Sequence, residues 1–430
     1  MTEYIAARSQ AKKLFDKKEY EEALPVYEKI YSPECEKWIA WEYARSLKQL
    51  SRLDDALEIS KALYLREKTF VYNNNLLSWL LYEKYFKEKK TEYTAAEATK
   101  LFDIAVYATG FTKQEKASAY EKIVIKTLKI LKDLNSVPYD KILILLEKLD
   151  VSDLSDEAGK YEKGGKEKEY QSTKEMYYAL KTKALLEAKE FKACIECCDE
   201  ALGSIDSFHH NNSEWILSRK AASYAGLNDF NRAIELQNDV VVKKNHWSLF
   251  AGLAEIYLKM DDNKNALLNY CRAALTSDPP KMKVGLYFDI ARLLIALDDN
   301  EIALRHLVFT KQIREQENWS IPFALTKSIE DITTGKIEAN VKLCKLKDFW
   351  QKTIYDCLGA KNGQVSRLNA GGKTGFIQSG NKSYFFKTSS IMEKPTIKEG
   401  SNVSFVLIDS FDSKKNQKST ECAYIKIDIH

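Results

Sequence analysis

The sequence predicts a mainly α chain: a solenoid of about eight helix pairs, followed by a small all-β barrel of five short strands. Three observations carry this reading. Glycine is concentrated at one end, seven of the 16 lying between Gly359 and Gly400. Charge divides at the same place: residues 361–430 hold 11 Lys and Arg against 6 Asp and Glu, a net of +5, whereas residues 1–360 hold 55 against 56. Small residues also recur at a nearly constant interval through the glycine-poor part. A Gly- and Pro-poor stretch rich in Leu, Ala, Glu and Lys favours helix, because those residues lose little rotamer freedom there. The Gly-dense tail, rich in Phe, Val, Ile, Ser and Thr, favours strands and tight turns. The two folds are expected to join near residue 360, with a solenoid over 1–358 and a barrel over 361–430.

With 45% hydrophobic and 30% charged residues, the composition is globular and excludes collagen-like, coiled-coil-only or wholly disordered chains. A net charge of +4 is too small for bulk charge to imply a polyanionic partner. The start, MTEYIAARSQAKKLF, has no apolar core, so no signal peptide is expected. No window approaches the ~18 uncharged apolar residues that a membrane helix needs. The eight cysteines are scattered rather than spaced as a disulfide framework, which favours a reducing, cytoplasmic setting.

Six segments superpose without gaps: EYEEALPVYEKI (19–30), RLDDALEISKAL (52–63), EFKACIECCDEA (190–201), DFNRAIELQNDV (229–240), DNKNALLNYCRA (262–273) and DNEIALRHLVFT (299–310). A small residue stands at Ala23, Ala56, Cys194, Ala233, Ala266 and Ala303. Helices that cross closely cannot carry bulk at the crossing point. Twelve residues before four of these stand Ala44, Ala221, Ala254 and Ala291, on a preceding amphipathic helix. Polar turns such as GLNDF (226–230) and KMDDN (259–263) supply residues that end one helix and cap the next. The pattern resembles the tetratricopeptide repeat (TPR) family of helix-turn-helix units. The best match is 247–280, with Trp247, Leu253, Ala254, Tyr257, Ala266, Tyr270, Ala273 and Pro279. Pairs over 70–108 and 114–150 fit the repeat poorly but have its length and amphipathic pattern. Closing helices are expected near 321–332 and 338–358.

Ser152 to Ser172, charged and carrying a Gly pair, is expected to be a mobile insertion. Its Gly159, Gly164 and Lys166 imitate a phosphate loop, but Glu167 stands where Ser or Thr should be and no strand is expected before it. Cys194, Cys197 and Cys198 share one helix face upstream of His209 and His210. A metal site there is conceivable, but the repeat places Cys194 and Cys198 in core slots, so no metal or other cofactor is expected. Asn73, Asn74 and Asn75 read as a polar helix start or as contacts to an extended peptide. The five histidines, His209, His210, His246, His306 and His430, lie in no catalytic motif, and no enzyme activity is expected.

The TPR resemblance implies a concave surface lined by first helices and holding a protein or peptide. Mapped onto this sequence it nominates Arg8, Lys12, Trp41, Arg45, Lys48, Lys259, Phe288 and Arg292. Basic groups beside aromatic rings suit an acidic or aromatic peptide; a solvated helix face is the alternative.

In the tail, QVSRL, TGFIQ, YFFK, VSFVLID and AYIKI alternate as strands, separated by NAGGK, SGNKS, MEKPTIKEG and a long polar loop FDSKKNQKST. Five strands in so short a stretch suit a closed barrel. The segments NAGGKTGFI (369–377), SYFFKTSSI (383–391), IKEGSNVSF (397–405) and AYIKI (423–427) resemble, in order, those of the cold-shock domain, an OB-fold barrel. That resemblance implies binding of single-stranded RNA or DNA. Alternation sends Ile377, Tyr384 and Phe386 inward and Phe376 and Phe385 outward, where bases can stack on them. Arg367, Lys373, Lys382 and Lys387 are the expected cations. Arg367 replaces the family's Trp, Thr374 its Phe or Tyr, Lys387 its His and Thr388 an aromatic. Weak, salt-sensitive, sequence-tolerant binding follows. GGKTG (371–375) is a second phosphate-loop lookalike with no following helix. The expected function is a non-catalytic adaptor joining a protein partner to single-stranded nucleic acid, RNA by preference. The alternative is a pure protein scaffold whose barrel has lost nucleic-acid binding.

Overall fold

The computed structural model describes residues 2–88, 90–333, 340–392, 397–412, 415 and 417–428. His430 and the expected start of the last helix near 338 lie outside the described residues. The chain divides into two compact units, Met1–Asn212 and Ser213–His430.

The first unit holds five helix pairs: α1 (Thr2–Asp16) with α2 (Tyr20–Ile30), α3 (Lys37–Gln49) with α4 (Leu53–Arg66), α5 (Val71–Tyr85) with α6 (Ala95–Thr109), α7 (Ala119–Lys132) with α8 (Tyr139–Leu146), and α9 (Thr173–Glu187) with α10 (Phe191–Ser204). The second begins with α11 (Asn212–Gly226) and α12 (Phe230–Lys243), α13 (Trp247–Lys259) and α14 (Asn263–Ala274), and α15 (Val284–Ala296) and α16 (Asn300–Gln316). Two further helices follow, α17 (Phe323–Ile332) and α18 (Leu343–Leu358). The fold is therefore an array of TPR-like helix pairs.

A single turn geometry generates six of these pairs. Lys18, Ser51, Lys189, Asn228, Asp261 and Asp298 all take left-handed backbone, with φ between 57° and 64°. Each stands two residues before its second helix and five before the small residue of the repeat. Ala23, Ala56, Cys194, Ala233, Ala266 and Ala303 all have zero exposure, as do their partners Ala44, Ala221, Ala254 and Ala291. The turn reverses the chain, an Asp such as Asp262 caps the next helix by accepting the Asn265 N–H at 3.0 Å, and the helices then close on the small residue. Pairs α5–α6 and α7–α8 lack this turn. They begin their second and first helices instead with Thr94, in a capping box with Glu97, and with Ser118.

The insertion expected to be a disordered charged loop folds back on itself. After a short 3-10 turn at Val151–Asp153, strands β1 (Gly159–Lys163) and β2 (Lys166–Tyr170) form an antiparallel hairpin. Gly164 and Gly165, at φ 64° and 70°, make the reversal that L side chains resist. The Tyr161 and Tyr170 rings stack at 4.0 Å across it, a cross-strand contact that the charge count hid.

Five strands close the barrel: β3 (Lys361–Leu368), β4 (Thr374–Ser379), β5 (Lys382–Lys387), β6 (Asn402–Asp412) and β7 (Gln417–Ile427), in the order β3-β4-β5-β7-β6. With β5 and β7 parallel and the other pairs antiparallel, this is a Greek-key barrel of the OB type. Its core holds Val365, Ile377, Phe386, Val403, Phe405, Cys422 and Ile425. Gly375 is required by space: a Cβ there would lie 2.5 Å from the Arg367 carbonyl and 2.7 Å from the Phe386 ring. The polar loop expected over 411–420 is largely strand, because Ser410, Phe411 and Asp412 pair with Ser419, Lys418 and Gln417. This arm leans on α12, where Lys418 meets Asp239 at 2.9 Å and Lys243 lies 6.0 Å from the Phe411 ring.

Two side chains lock α16 to α18. The buried Trp350 Nε1–H donates to His306 Nε2 at 2.9 Å, and His306 Nδ1 is 2.8 Å from the Ile302 carbonyl. Both ring nitrogens are thus engaged by a neutral imidazole, and burial pushes the pKa of His306 down from 6.5 to about 4.

This packing can be tested at a crossing point and at the buried imidazole. Replacing Ala266 by Leu forces bulk into a zero-exposure crossing and should cost about 1–3 kcal/mol in a urea titration, whereas Ala95→Leu at an exposed position should cost little. Since unfolded His306 binds a proton below about 6.5 and the folded residue does not until about 4, stability from this residue is complete above pH 6.5. It should fall by up to about 3 kcal/mol as pH drops to 4. Urea midpoints across that window should decline less steeply for His306→Asn, after correction for its lower starting stability.

Candidate nucleic-acid interface

Strand register builds the outer face of the barrel. Phe376 on β4 lies directly opposite Phe385 on β5, and their rings meet edge to face at 5.9 Å. Both are half-buried and outside the barrel core, whereas their neighbours Ile377 and Phe386 are fully buried. Tyr384 packs against the core with its ring 6.2 Å from Phe405. In β3 the register shifts between Val365 and Arg367, so that Arg367 rather than Ser366 stands opposite Phe376. The guanidinium consequently lies over the Phe376 ring at 4.9 Å, a favourable cation–π geometry. A glycine turn (Gly371 at φ 89°, Gly372 at φ 66°) joins β3 to β4, and a two-residue Gly380–Asn381 turn joins β4 to β5.

The expected cations divide. Lys373 sits at the end of the β3–β4 turn and Lys382 at the start of β5, both exposed, and among the described residues no carboxylate pairs with either. Lys387 differs: its Nζ lies 2.9 Å from Glu421 Oε2 and 3.0 Å from Oε1. The parallel pairing of Phe386 with Cys422 brings β5 against β7, with Lys387 and Glu421 diagonal to each other across it. The Lys387 charge is thus offset by a carboxylate of the barrel itself.

The other side of the barrel is docked on the helices of the same unit. Val406 is fully buried in the core of α13–α18, and Ile408 and Tyr424 pack against it. The Tyr355 hydroxyl on α18 donates to the Tyr424 carbonyl at 2.6 Å and accepts from Gln351 Nε2 at 3.1 Å. Tyr424 itself has φ 52°, the conformation that a bulky L residue adopts only when held. The dock involves β6 and β7, not the β4–β5 face that carries Phe376 and Phe385.

The residues expected in the helical groove are placed as follows. Arg8 is committed inside the protein, 2.5 Å from the buried carboxylate of Glu42, which also accepts from the Tyr27 hydroxyl at 2.9 Å. Lys12 pairs with Asp16, and Lys48 with Glu83 at 2.6 Å. Trp41 and Arg45 remain presented: Trp41 Nε1–H donates to the Tyr72 carbonyl at 3.1 Å, and Arg45 lies 5.1 Å from the Trp41 ring. In the second unit Lys259 borders a shallow cavity with Gln237 and Glu255. Phe288 lines another with Val284 and Leu325, and Arg292 is 3.9 Å from Asp289. Of the asparagines, Asn73 is fully buried and exchanges two bonds with Ser60, and Asn74 donates to the Lys68 carbonyl. Asn73 thereby ties α5 to the preceding pair, while Asn75 stays exposed. Cys194, Cys197 and Cys198 are all buried. No group of three potential metal ligands occurs among the described residues, and no helix among them is long and apolar enough to cross a membrane.

Sequence reasoning missed Trp38 and Tyr72 beside Trp41, the Lys387–Glu421 pair and the whole docking set. Trp38 could have been found from its three-residue spacing to Trp41 on one helix. The strand pairing and the φ of Tyr424 leave no local signal.

These features define a helical-repeat protein carrying an OB-type barrel. A family model described as a domain of unknown function (DUF7017) matches residues 214–349, and a search of curated proteins finds no match. Among solved structures the chain is similar to a tetratricopeptide repeat protein from Parabacteroides merdae, at 10% identity and a TM-score of 0.32 over 77% of this chain and 99% of that one. It is similar to a thermophilic TPR protein of Thermus thermophilus, at 14% and 0.21 over 68% and 99%. It is also similar to the TPR2AB domain of yeast Sti1 in its pHSP90 complex, at 13% and 0.26 over 77% and 98%. At these TM-scores the class of this protein rests on its own helix pairs and strand order.

The dock makes its own prediction. Tyr355→Phe removes the donor to the Tyr424 carbonyl and should lower stability by about 1–2 kcal/mol. Hydrogen exchange should rise first in β6 and β7, with α1–α8 unchanged.

Proposed function

We propose that this protein is a non-catalytic adaptor. The barrel, residues 361–430, binds single-stranded nucleic acid, with RNA as the preferred form, and the helical array, residues 1–358, holds a protein partner. The observation that carries the nucleic-acid reading is the register-matched pair Phe376–Phe385 on the barrel's free face, with Arg367 laid on one ring. Two exposed lysines lie close to the same strands. Unpaired bases offer π-faces to such rings at ~1–3 kcal/mol per stack, whatever their identity. Arg367, Lys373 and Lys382 supply the phosphate contacts that make binding salt-dependent. With two rings and Lys387 offset by Glu421, affinity is modest.

A protein partner for the array is supported by the presented Trp41 and Arg45. A scaffold without nucleic-acid binding is the competing reading, and the Lys387–Glu421 pair is the observation that favours it.

Fluorescence anisotropy with a short labelled oligouridine at low salt tests the proposal. The wild type should bind, with affinity falling as salt rises, and Phe376→Ala/Phe385→Ala should weaken binding by roughly tenfold or more. Absence of binding, or binding indifferent to the double substitution, selects the scaffold.

A further inference from the structure

The β1–β2 hairpin inserted between α8 and α9 sorts its charges by face. Tyr161 pairs with Lys168 and Gly159 with Tyr170, so alternation sets Tyr161, Lys168 and Tyr170 on one face. Register positions 163 and 166, lysine in the sequence, fall on that face too. The opposite face receives Lys160, Glu162, Glu167 and Glu169. A sequence whose charges nearly cancel thus becomes a two-faced ribbon, basic and aromatic on one side and acidic on the other.

The acidic side is largely spent within the first unit. Glu167 pairs with Lys160 at 2.6 Å, and Glu169 Oε2 lies 3.3 Å from His209 Nε2. His209 Nδ1 lies in turn 2.8 Å from the buried carboxylate of Glu175 on α9. The basic side is presented. Lys168 is exposed and has no carboxylate partner among the described residues, and Tyr170 is 51% exposed.

Charge complementarity asks for an anion, and the rings narrow its kind. Tyr161 and Tyr170 lie nearly parallel, 23° apart with centroids at 4.0 Å, and such a stack can be extended by a further flat group. Lys168 stands two residues from Tyr170 along β2, about 7 Å, a span that one nucleotide covers between base and phosphate. An unpaired strand supplies both groups. A duplex keeps its base faces covered, and an acidic peptide brings charge without a ring to stack.

We infer that the lysine–tyrosine face of this hairpin is a second binding site for single-stranded nucleic acid. The inference goes beyond the adaptor reading by placing a nucleic-acid contact in the first unit, and it stands independently of the barrel.

Photocrosslinking of the full chain to a thiouridine-substituted oligouridine, followed by peptide mapping, tests it. Crosslinks should map to residues 159–170 and persist in Phe376→Ala/Phe385→Ala. Lys168→Glu and, separately, Tyr161→Thr/Tyr170→Thr, which keeps strand-forming side chains, should each reduce them by about fivefold or more. Glu162→Gln on the opposite face should not. Unchanged thermal melts verify that the variants fold. Absence of hairpin crosslinks, their loss in the barrel variant, or indifference to Lys168→Glu would overturn the inference. Displacement of the strand from the hairpin by an equal concentration of a Glu-rich peptide or of duplex RNA would also overturn it. Failure of the barrel reading looks different: oligouridine binding unchanged by Phe376→Ala/Phe385→Ala, with the hairpin crosslinks in place.

Discussion

Close approach between paired helices is the constraint on which the rest of the structure depends. It is imposed twice in each regular pair. A left-handed residue such as Lys18 or Asp261 fixes where the chain reverses, and a zero-exposure small residue five positions on lets the second helix seat against the first. Left-handed backbone at a non-glycine residue costs ~1 kcal/mol or more, and apolar burial along the pair offsets it. The residue four positions beyond the small one then has a fixed environment. It can be apolar, as at Leu307, or polar if it finds a partner, as Gln237 does by donating to the Leu249 carbonyl at 2.7 Å.

The barrel obeys a related rule. Its docked side is made by strands whose residues would be inner or outer only for the barrel in isolation. The register shift between Ser404 and Val406 in β6 turns Val406 out of the barrel and into the helical core, and a bulge is a device for re-aiming one side chain. Tyr424 near it on β7 carries the backbone strain and is held through its carbonyl by Tyr355. A second bulge in β3 does the reverse, bringing Arg367 over Phe376 on the free side. Two one-residue irregularities thus separate a structural face from a presented one.

What was legible in the sequence follows from range. The helix pairs were readable because their determinants are local: a small residue at fixed spacing, and a polar turn before it. The alternation that turns Phe376 and Phe385 outward, with Ile377 and Phe386 inward, was readable for the same reason. The β1–β2 hairpin was not, because its charged composition outweighed a two-residue glycine turn and one tyrosine pair. Nor was the fate of individual cations. Lys387 and Lys373 look alike in sequence, and only the parallel β5–β7 contact, between strands distant in the chain, sets Glu421 beside the first. Arg8 and Arg45 likewise both read as groove cations, but Glu42 lies under one of them.

The position of each cation relative to its ring distinguishes the two presented surfaces. On the barrel, Arg367 covers Phe376, and no cation is laid on Phe385 among the described residues, so one π-face remains open and a guanidinium can itself continue a stack of bases. In the array, Arg45 lies 5.1 Å from the Trp41 ring and Lys122 lies 4.8 Å from the Trp79 ring. The same residue types are therefore presented differently, because backbone register and helix spacing decide which atoms of the pair meet the solvent.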